Sequence, residues 1–264
     1  MRCCLVITTY EREDALRRVL ESLASQEQWP DEVIVADDGS GPATARLVAS
    51  VARSAPVPVH HVWQPHEGFR AGRARNLAIA RTRADYVILL DGDMVMHPRF
   101  VADHVELARP GHFSQGTRIN LDPAATRRLI VPGAALPSFT APGLAGIRRT
   151  YALRSPGLAR MLRSAANGLI AIKSCNQGFW RSDLLAVNGF DEALTGWGAE
   201  DKELCARLVN AGIRRQTLLF AAIAYHLDHP PAARAMAEGH RRKWQETVRN
   251  GRKRCETGID AHLA

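Results

Sequence analysis

The sequence predicts an α/β fold, a mostly parallel, doubly wound sheet with helices on both faces. Short runs of apolar and β-branched residues at 4–7, 33–36, 59–62 and 86–90 have the length and continuity of strands buried on both sides. Between them the apolar residues return at helical spacing, so the order reads βαβαβ, the signature of a parallel sheet. Two of the runs end in carboxylates, Asp37-Asp38-Gly39-Ser40 and Asp91-Gly92-Asp93, at the strand ends where open α/β sheets bind their ligands.

Each element follows in turn. After the first strand, Thr8-Thr9-Tyr10 turns into a helix whose Leu16, Val19, Leu20 and Leu23 share one face. The second strand leads to a helix over 43–53. The short strand at 59–62 is followed by the loop His66-Glu67-Gly68-Phe69-Arg70, which enters a helix through Arg73, Asn76, Leu77 and Ile79. The segment 123–171 is rich in Pro, Gly and Ala and carries no clean strand signal; short amphipathic helices are expected at 144–153 and 158–169. Residues 175–180 read as a strand or turn, followed by 184–190, a loop around Trp197, a helix over 202–211, a last strand over 216–226 and a surface helix over 233–254. One domain is expected: residues 1–120, a basic irregular insertion at 121–172, a second half at 173–230, and a basic helical segment at 231–264.

With 264 residues and 46% hydrophobic content, the chain is neither disordered nor a repeat array. No apolar stretch approaches the roughly 18 residues that a membrane span needs. Met1 to Ile7 run straight into a strand pattern without an export signal, which points to the cytoplasm. Five cysteines, odd in number and without paired spacing, are expected to be reduced and structural. The net charge of +8 is concentrated: residues 121–172 hold seven arginines and one acid, and residues 231–264 hold eight Lys/Arg and four acids. A nucleic-acid surface interleaves base-stacking aromatics with its cations, and this one does not, so no nucleic-acid partner is expected. Arginines mixed with Leu, Ile and Ala fit adsorption to an anionic membrane surface on its inner face, with a plain solvated surface as the alternative.

The chemistry begins at Asp91 and Asp93. Two hard oxygen donors at a strand end suit a divalent cation carrying a diphosphate. Far along the chain, Gly196-Trp197-Gly198-Ala199-Glu200-Asp201 supplies a second acidic pair, suited to taking a proton from an attacking alcohol. Together they point to metal-dependent group transfer from a nucleotide. The simpler readings are a polar turn for the first pair and helix-dipole stabilisation for the second. The latter leaves Trp197 between two glycines unexplained.

In the first half, Val6-Ile7-Thr8-Thr9-Tyr10, Asp37-Asp38-Gly39-Ser40, Gly72-Arg73-Ala74-Arg75-Asn76 and Leu89-Leu90-Asp91-Gly92-Asp93 resemble the inverting nucleotide-sugar glycosyltransferases of the GT-A fold. In the second, Asn188-Gly189-Phe190-Asp191-Glu192 and the Trp197 segment resemble the carboxyl-terminal half of β-galactosyl- and N-acetylgalactosaminyltransferases, including the chondroitin polymerase type. The resemblance implies that Thr9, Glu11 and Asp38 hold the nucleoside, with Arg70, Arg73 and Asn76 also on the donor side. It implies that Asp91 and Asp93 form the metal and ribose pair, Asp93 the direct ligand, with His226 or His229 completing the shell. Manganese is then favoured over calcium and magnesium. It makes Trp197 and Glu200 acceptor-binding, and Asp201 together with Glu200 catalytic, Asp201 as the base. A UDP-sugar donor and a saccharide or glycolipid acceptor in surface polysaccharide or lipopolysaccharide synthesis follow from the same resemblance. The competing functions are a non-catalytic glycan-binding or scaffold protein on the same fold, and a nucleotidyltransferase, for which the first loop lacks a glycine- and arginine-rich triphosphate cradle.

Overall fold

In the computed structural model, which describes residues 1–144, 147–163, 172–230 and 237–263, the first half alternates as expected. The elements are β1 (Cys3–Thr9), α1 (Glu13–Ala24), β2 (Glu32–Asp37), α2 (Pro42–Ser54), β3 (Val59–Trp63), α3 (Ala71–Arg81) and β4 (Tyr86–Asp91). Then come β5 (Met94–Met96), α4 (Phe100–Leu107), β6 (His112–Gln115), β7 (Thr117–Asn120), α5 (Pro123–Leu129), α6 (Pro156–Leu162), β8 (Asn176–Trp180), α7 (Arg181–Ala186), α8 (Glu200–Asn210), β9 (Arg214–Thr217), β10 (Ile223–His226) and α9 (Ala237–Arg249).

Seven strands form one sheet in the order β3-β2-β1-β4-β8-β6-β9, with β8 running against its neighbours β4 and β6 and the other pairs parallel. Side chains alternate between the faces. Cys3, Leu5, Ile7, Ile88 and Leu90 point into a core roofed by Leu16, Val19, Leu23 and Leu47 from α1 and α2. Cys4, Val6, Val87 and Leu89 point the other way, onto Ala74, Ala78 and Ile79 of α3 and Leu204 and Leu208 of α8. A central strand covered on both faces needs such an unbroken apolar run. A second, three-stranded sheet, β5-β10-β7, stands beside the first and shares its first core. All five cysteines are free and buried.

Four expectations need correction. The single strand over 216–226 is two strands in different sheets, because Phe220 and Ala222 take positive φ (64° and 47°) and turn the chain between β9 and β10. The helix over 144–153 is a 3-10 turn at Ile147–Ala152. The helix over 158–169 is α6, ending at Leu162; residues 164–169 lie outside the described residues. The surface helix over 233–254 is α9, with 233–236 outside the described residues, and from Asn250 the chain folds back instead of continuing. Its return buries Ile259 in the second core, and Gly258 sits so close to the Asn188 carbonyl that a Cβ would lie 1.9 Å from it.

A buried ion pair within α8 also ties that helix to α9. Arg207 Nε donates to both carboxylate oxygens of Glu203 at 3.0 and 2.9 Å, its Nη1 donates to the Val187 carbonyl, and Thr247 Oγ1 of α9 donates to Glu203 at 3.0 Å. Paired and hydrogen-bonded on every side, these charges are tolerable in an apolar setting, where either alone would not be. The start of α8 is thereby anchored, which matters because α8 begins at Glu200. Among the described residues, no helix is long and apolar enough to cross a membrane.

Candidate active site

The ends of β1, β2 and β4 are laced together by their own backbones. Asp38 N–H donates to the Thr9 carbonyl at 3.0 Å, and Gly92 N–H donates to the Thr8 carbonyl at 2.7 Å. A Cβ at position 92 would stand 2.9 Å from Thr8 O and 3.2 Å from Thr9 Oγ1, so only glycine lets the loop after β4 lie this close to β1. Asp38 is buried and accepts from Gln64 Nε2 at 2.5 Å and from the Arg70 backbone N–H at 2.6 Å. Burial outweighs these hydrogen bonds and pushes its carboxyl above the ordinary range. Glu11 is exposed at the same edge and accepts from Gly41 N–H at 2.6 Å, while Tyr10 stacks on His66 with centroids 4.2 Å apart.

Asp93 follows β4. Antiparallel pairing of β10 with β5 sets His226 opposite Met94, and Leu227 N–H donates to the Asp93 carbonyl at 3.0 Å. This register brings two histidines to Asp93: Oδ2 lies 3.2 Å from His229 Nε2 and 3.7 Å from His226 Nε2. The three ligand atoms lie within 4.8 Å of one another, and Asp93 Oδ1 is buried without a hydrogen-bond partner. Burial acts to raise Asp93, but the hydrogen bond from His229 and the charges of His226 and Arg12 leave it below the usual carboxylate range. Burial holds His226 down at about 4, so its ring is neutral at physiological pH, the form that binds metals. The chemistry of this donor set, one carboxylate with a spare oxygen and two imidazoles, fits a divalent transition metal. Asp91 is not part of the trio; its Oδ1 accepts from Arg75 Nη2 at 2.9 Å.

Arg75 is the residue the sequence reading missed and the geometry puts at the centre. Buried on α3, it donates from Nε to Thr8 Oγ1 at 3.1 Å, holds Asp91 with Nη2, and brings Nη1 to 3.8 Å from Glu200 Oε1. Its guanidinium lies over the Phe190 ring, 5.2 Å from the centroid. The two acid pairs therefore converge on one cation. Asp201 is reached by a second link: Asp91 N–H donates to the Cys175 carbonyl at 3.3 Å, and the neighbouring Ser174 N–H donates to Asp201 Oδ2 at 3.1 Å. Burial, reinforced by the negative charge of Glu200, pushes the Asp201 carboxyl up to about 7. A signal for Arg75 does exist in the sequence: at helical spacing it falls in the stripe Ala71, Ala74, Ala78, where a buried cation requires an acidic partner.

Around Trp197 the backbone is held in left-handed conformations, with φ of 96° at Gly196, 119° at Gly198 and 61° at Ala199. Gly196 N–H donates to the Phe69 carbonyl at 2.8 Å and His240 Nδ1 meets the Gly198 carbonyl at 2.6 Å, so the loop is tied to both the 65–70 segment and α9. Trp197 is 38% exposed.

Other sequence candidates have different neighbours. The Arg70 side chain turns to Glu67 at 2.6 Å and to the Pro65 carbonyl at 2.5 Å, leaving its backbone N–H to meet Asp38. Arg73 donates to Gln64 Oε1 at 2.6 Å and lies 3.6 Å from Glu192 Oε2. Asn76, expected on the donor side, is fully buried and completely bonded: it donates to the Phe190 carbonyl and Glu192 Oε1, both at 2.8 Å, and accepts from Phe190 N–H at 2.9 Å. It clamps the 188–192 loop to α3, so it orders the site from behind.

A sheet of this order, with an acid-ended β4 beside histidines from a smaller sheet, is the GT-A architecture of the nucleotide-sugar glycosyltransferases. Over all of this chain and 71% of the other, the fold superposes on residues 1–349 of S. aureus TarS in complex with UDP-GlcNAc, with a TM-score of 0.67 and 17% identity. Residues 4–132 match the model of glycosyl transferase family 2, and residues 168–230 match that of the N-terminal domain of galactosyltransferase. Two glycosyltransferase models thus account between them for most of the chain, family 2 in the first half and the galactosyltransferase type in the second. It is 27% identical over 240 residues to the hyaluronan synthase of Pasteurella multocida, covering 86% of this chain and 24% of that one. It is 28% identical over 241 residues to the chondroitin synthase of Escherichia coli, covering 86% and 34%. The chain thus spans about a quarter to a third of the length of these relatives.

Proposed function

We propose that this chain transfers a hexosyl group, with inversion, from a nucleotide-diphosphate sugar to a hydroxyl of a saccharide or lipid-linked glycan, in the assembly of a surface polysaccharide or lipopolysaccharide. The observation that carries the proposal is Arg75, whose guanidinium contacts Asp91 on one side and approaches Glu200 on the other, so that both acidic pairs serve one cleft. Relatives named as polysaccharide synthases, and a structural neighbour in complex with UDP-GlcNAc, support a UDP-sugar as donor.

Asp38, with Thr9 and Glu11 beside it, would hold the nucleoside. Asp93, His226 and His229 would hold the divalent cation, with manganese preferred over magnesium for a set containing two imidazoles. Such an ion supplies Lewis-acid stabilisation to a departing diphosphate. On the other side of the sugar carbon, Asp201 takes the proton of the acceptor hydroxyl. As the new C–O bond forms, the bond to the diphosphate oxygen breaks, and the nucleoside diphosphate leaves with that electron pair. Attack from behind inverts the anomeric centre, and no covalent enzyme intermediate is involved. Glu200 orients the acceptor, and Trp197 offers its ring as a platform for the acceptor sugar.

The test is a panel of nucleotide sugars, each incubated with and without Mn2+ and assayed for release of nucleoside diphosphate. Cation-dependent release from a UDP-sugar is expected. Binding of no nucleotide sugar with Mn2+ present, read by calorimetry, would favour the scaffold reading.

Peripheral attachment to an anionic membrane face belongs to the same proposal. It is supported by exposed Leu153, Met161 and Leu162 interspersed with Arg160 and Arg163 around α6. Salt-sensitive co-sedimentation with anionic vesicles is expected, and indifference to lipid charge removes this part.

A further inference from the structure

We infer that Arg12 is the counter-ion that holds Asp93 until a divalent cation arrives, and that it then turns to the diphosphate of the donor. The inference rests on the cation reading of Asp93, His226 and His229 given above, and its test separates the two.

Arg12 lies in the turn between β1 and α1, directly after Glu11, whose φ is +47°. Its Nη1 donates to Asp93 Oδ2 at 3.1 Å, the same oxygen that faces both histidines. Among the described residues this is the only hydrogen bond or ion pair of its side chain, which remains about a third exposed at 31%. Arg70 and Arg73 differ, being engaged with Glu67 and Pro65 and with Gln64 and Glu192. Of these three arginines, Arg12 is the one whose sole partner is the candidate metal ligand.

The electrostatics follow directly. A buried carboxylate with one unbonded oxygen is costly unless a positive charge compensates it, and Arg12 supplies that charge. A divalent cation on Asp93 would face the guanidinium at close range in a partly desolvated cleft, where like charges repel strongly. The Arg12 stem is long, flexible and open on one side, so the guanidinium can move away without disturbing β1. The diphosphate that accompanies the cation provides the new negative partner, and guanidinium groups bind phosphate oxygens in a fork. Arg12 should therefore oppose the cation alone and favour cation and diphosphate together, a positive coupling between the two.

The test is calorimetric titration of Mn2+ alone into the wild-type chain and into Arg12→Met, then of UDP with Mn2+ saturating. Arg12→Met is expected to bind Mn2+ about fivefold more tightly and UDP about tenfold more weakly. Arg12→Lys, which keeps the charge, should stay within about twofold of wild type for Mn2+. Arg12→Gln serves as a second neutral variant with the same expectations, should the methionine substitution disturb folding as read by circular dichroism. Unchanged or weaker Mn2+ binding in the neutral variants overturns the counter-ion role, and unchanged UDP affinity overturns the transfer to the diphosphate. Failure of the wild-type chain to bind Mn2+ overturns the cation reading itself and this inference with it.

Discussion

Asp201→Asn should lower turnover by about 10³-fold while leaving donor binding intact. The substitution keeps the shape of the side chain and an oxygen able to accept one of the two backbone N–H bonds, from Ser174 and Lys202, that position Asp201. What it removes is the basic site. The measurement is steady-state turnover of the donor that wild type accepts, set against calorimetric affinity for the same nucleotide; a variant retaining full turnover removes the base assignment. A pH signature accompanies it. A base with its carboxyl at about 7 is protonated in acid, so wild-type kcat/KM should rise with pH through about 7, and the residual activity of the variant should lack that limb. Stability moves the other way. The folded chain keeps this proton up to about pH 7, whereas the unfolded chain releases it near pH 4, so the folded state holds more protons in that window. Wild-type stability should therefore fall as pH rises from about 4 to about 7 and then level off on this account, and Asp201→Asn should flatten the slope in urea denaturation.

Asp93→Asn should reduce kcat/KM by about 10²-fold or more and weaken Mn2+ binding by a similar factor. Asp93 is the only carboxylate in the trio with His226 and His229, so the variant leaves two imidazoles and no anionic ligand. It also strands Arg12 without its partner, which predicts that excess Mn2+ restores little activity. Calorimetric titration of Mn2+ decides the matter: wild-type affinity in the variant would place the ion elsewhere.

Much of this was legible in the chain itself. The runs at 4–7, 33–36 and 86–90 had to be buried strands because they are continuously apolar, and the structure extends each by only a few residues. Asp38, Asp91, Asp93, Glu200 and Asp201 could be singled out because acids clustered at strand ends and at a helix start, beside glycines, are dear to bury without a purpose. The region between Met94 and Asn120 carried no comparable signal. Strands β5, β6 and β7 are three or four residues long, too short for periodicity, and are fixed by neighbours such as β8 and β10 that lie far away in the chain.

The reading of Asn76 shows the limit from the other side. Beside two arginines in a donor-like motif it has the chemistry of a ligand contact, and only the folded chain reveals that its amide is taken up by Phe190 and Glu192. Arg12 shows the converse, since nothing local separates it from the other arginines of its segment, and for Arg75 the helical spacing implies burial beside an acid without saying which acid. The sequence by itself determined the βαβαβ first half of the sheet, the helix faces that cover it and the residue types at its carboxyl edge, because apolar periodicity and strand-end acids are local properties. Tertiary structure alone decided which cation meets which acid. Such pairings depend on strand order and on the β5–β10 register, and these bring together groups separated by up to about half the chain.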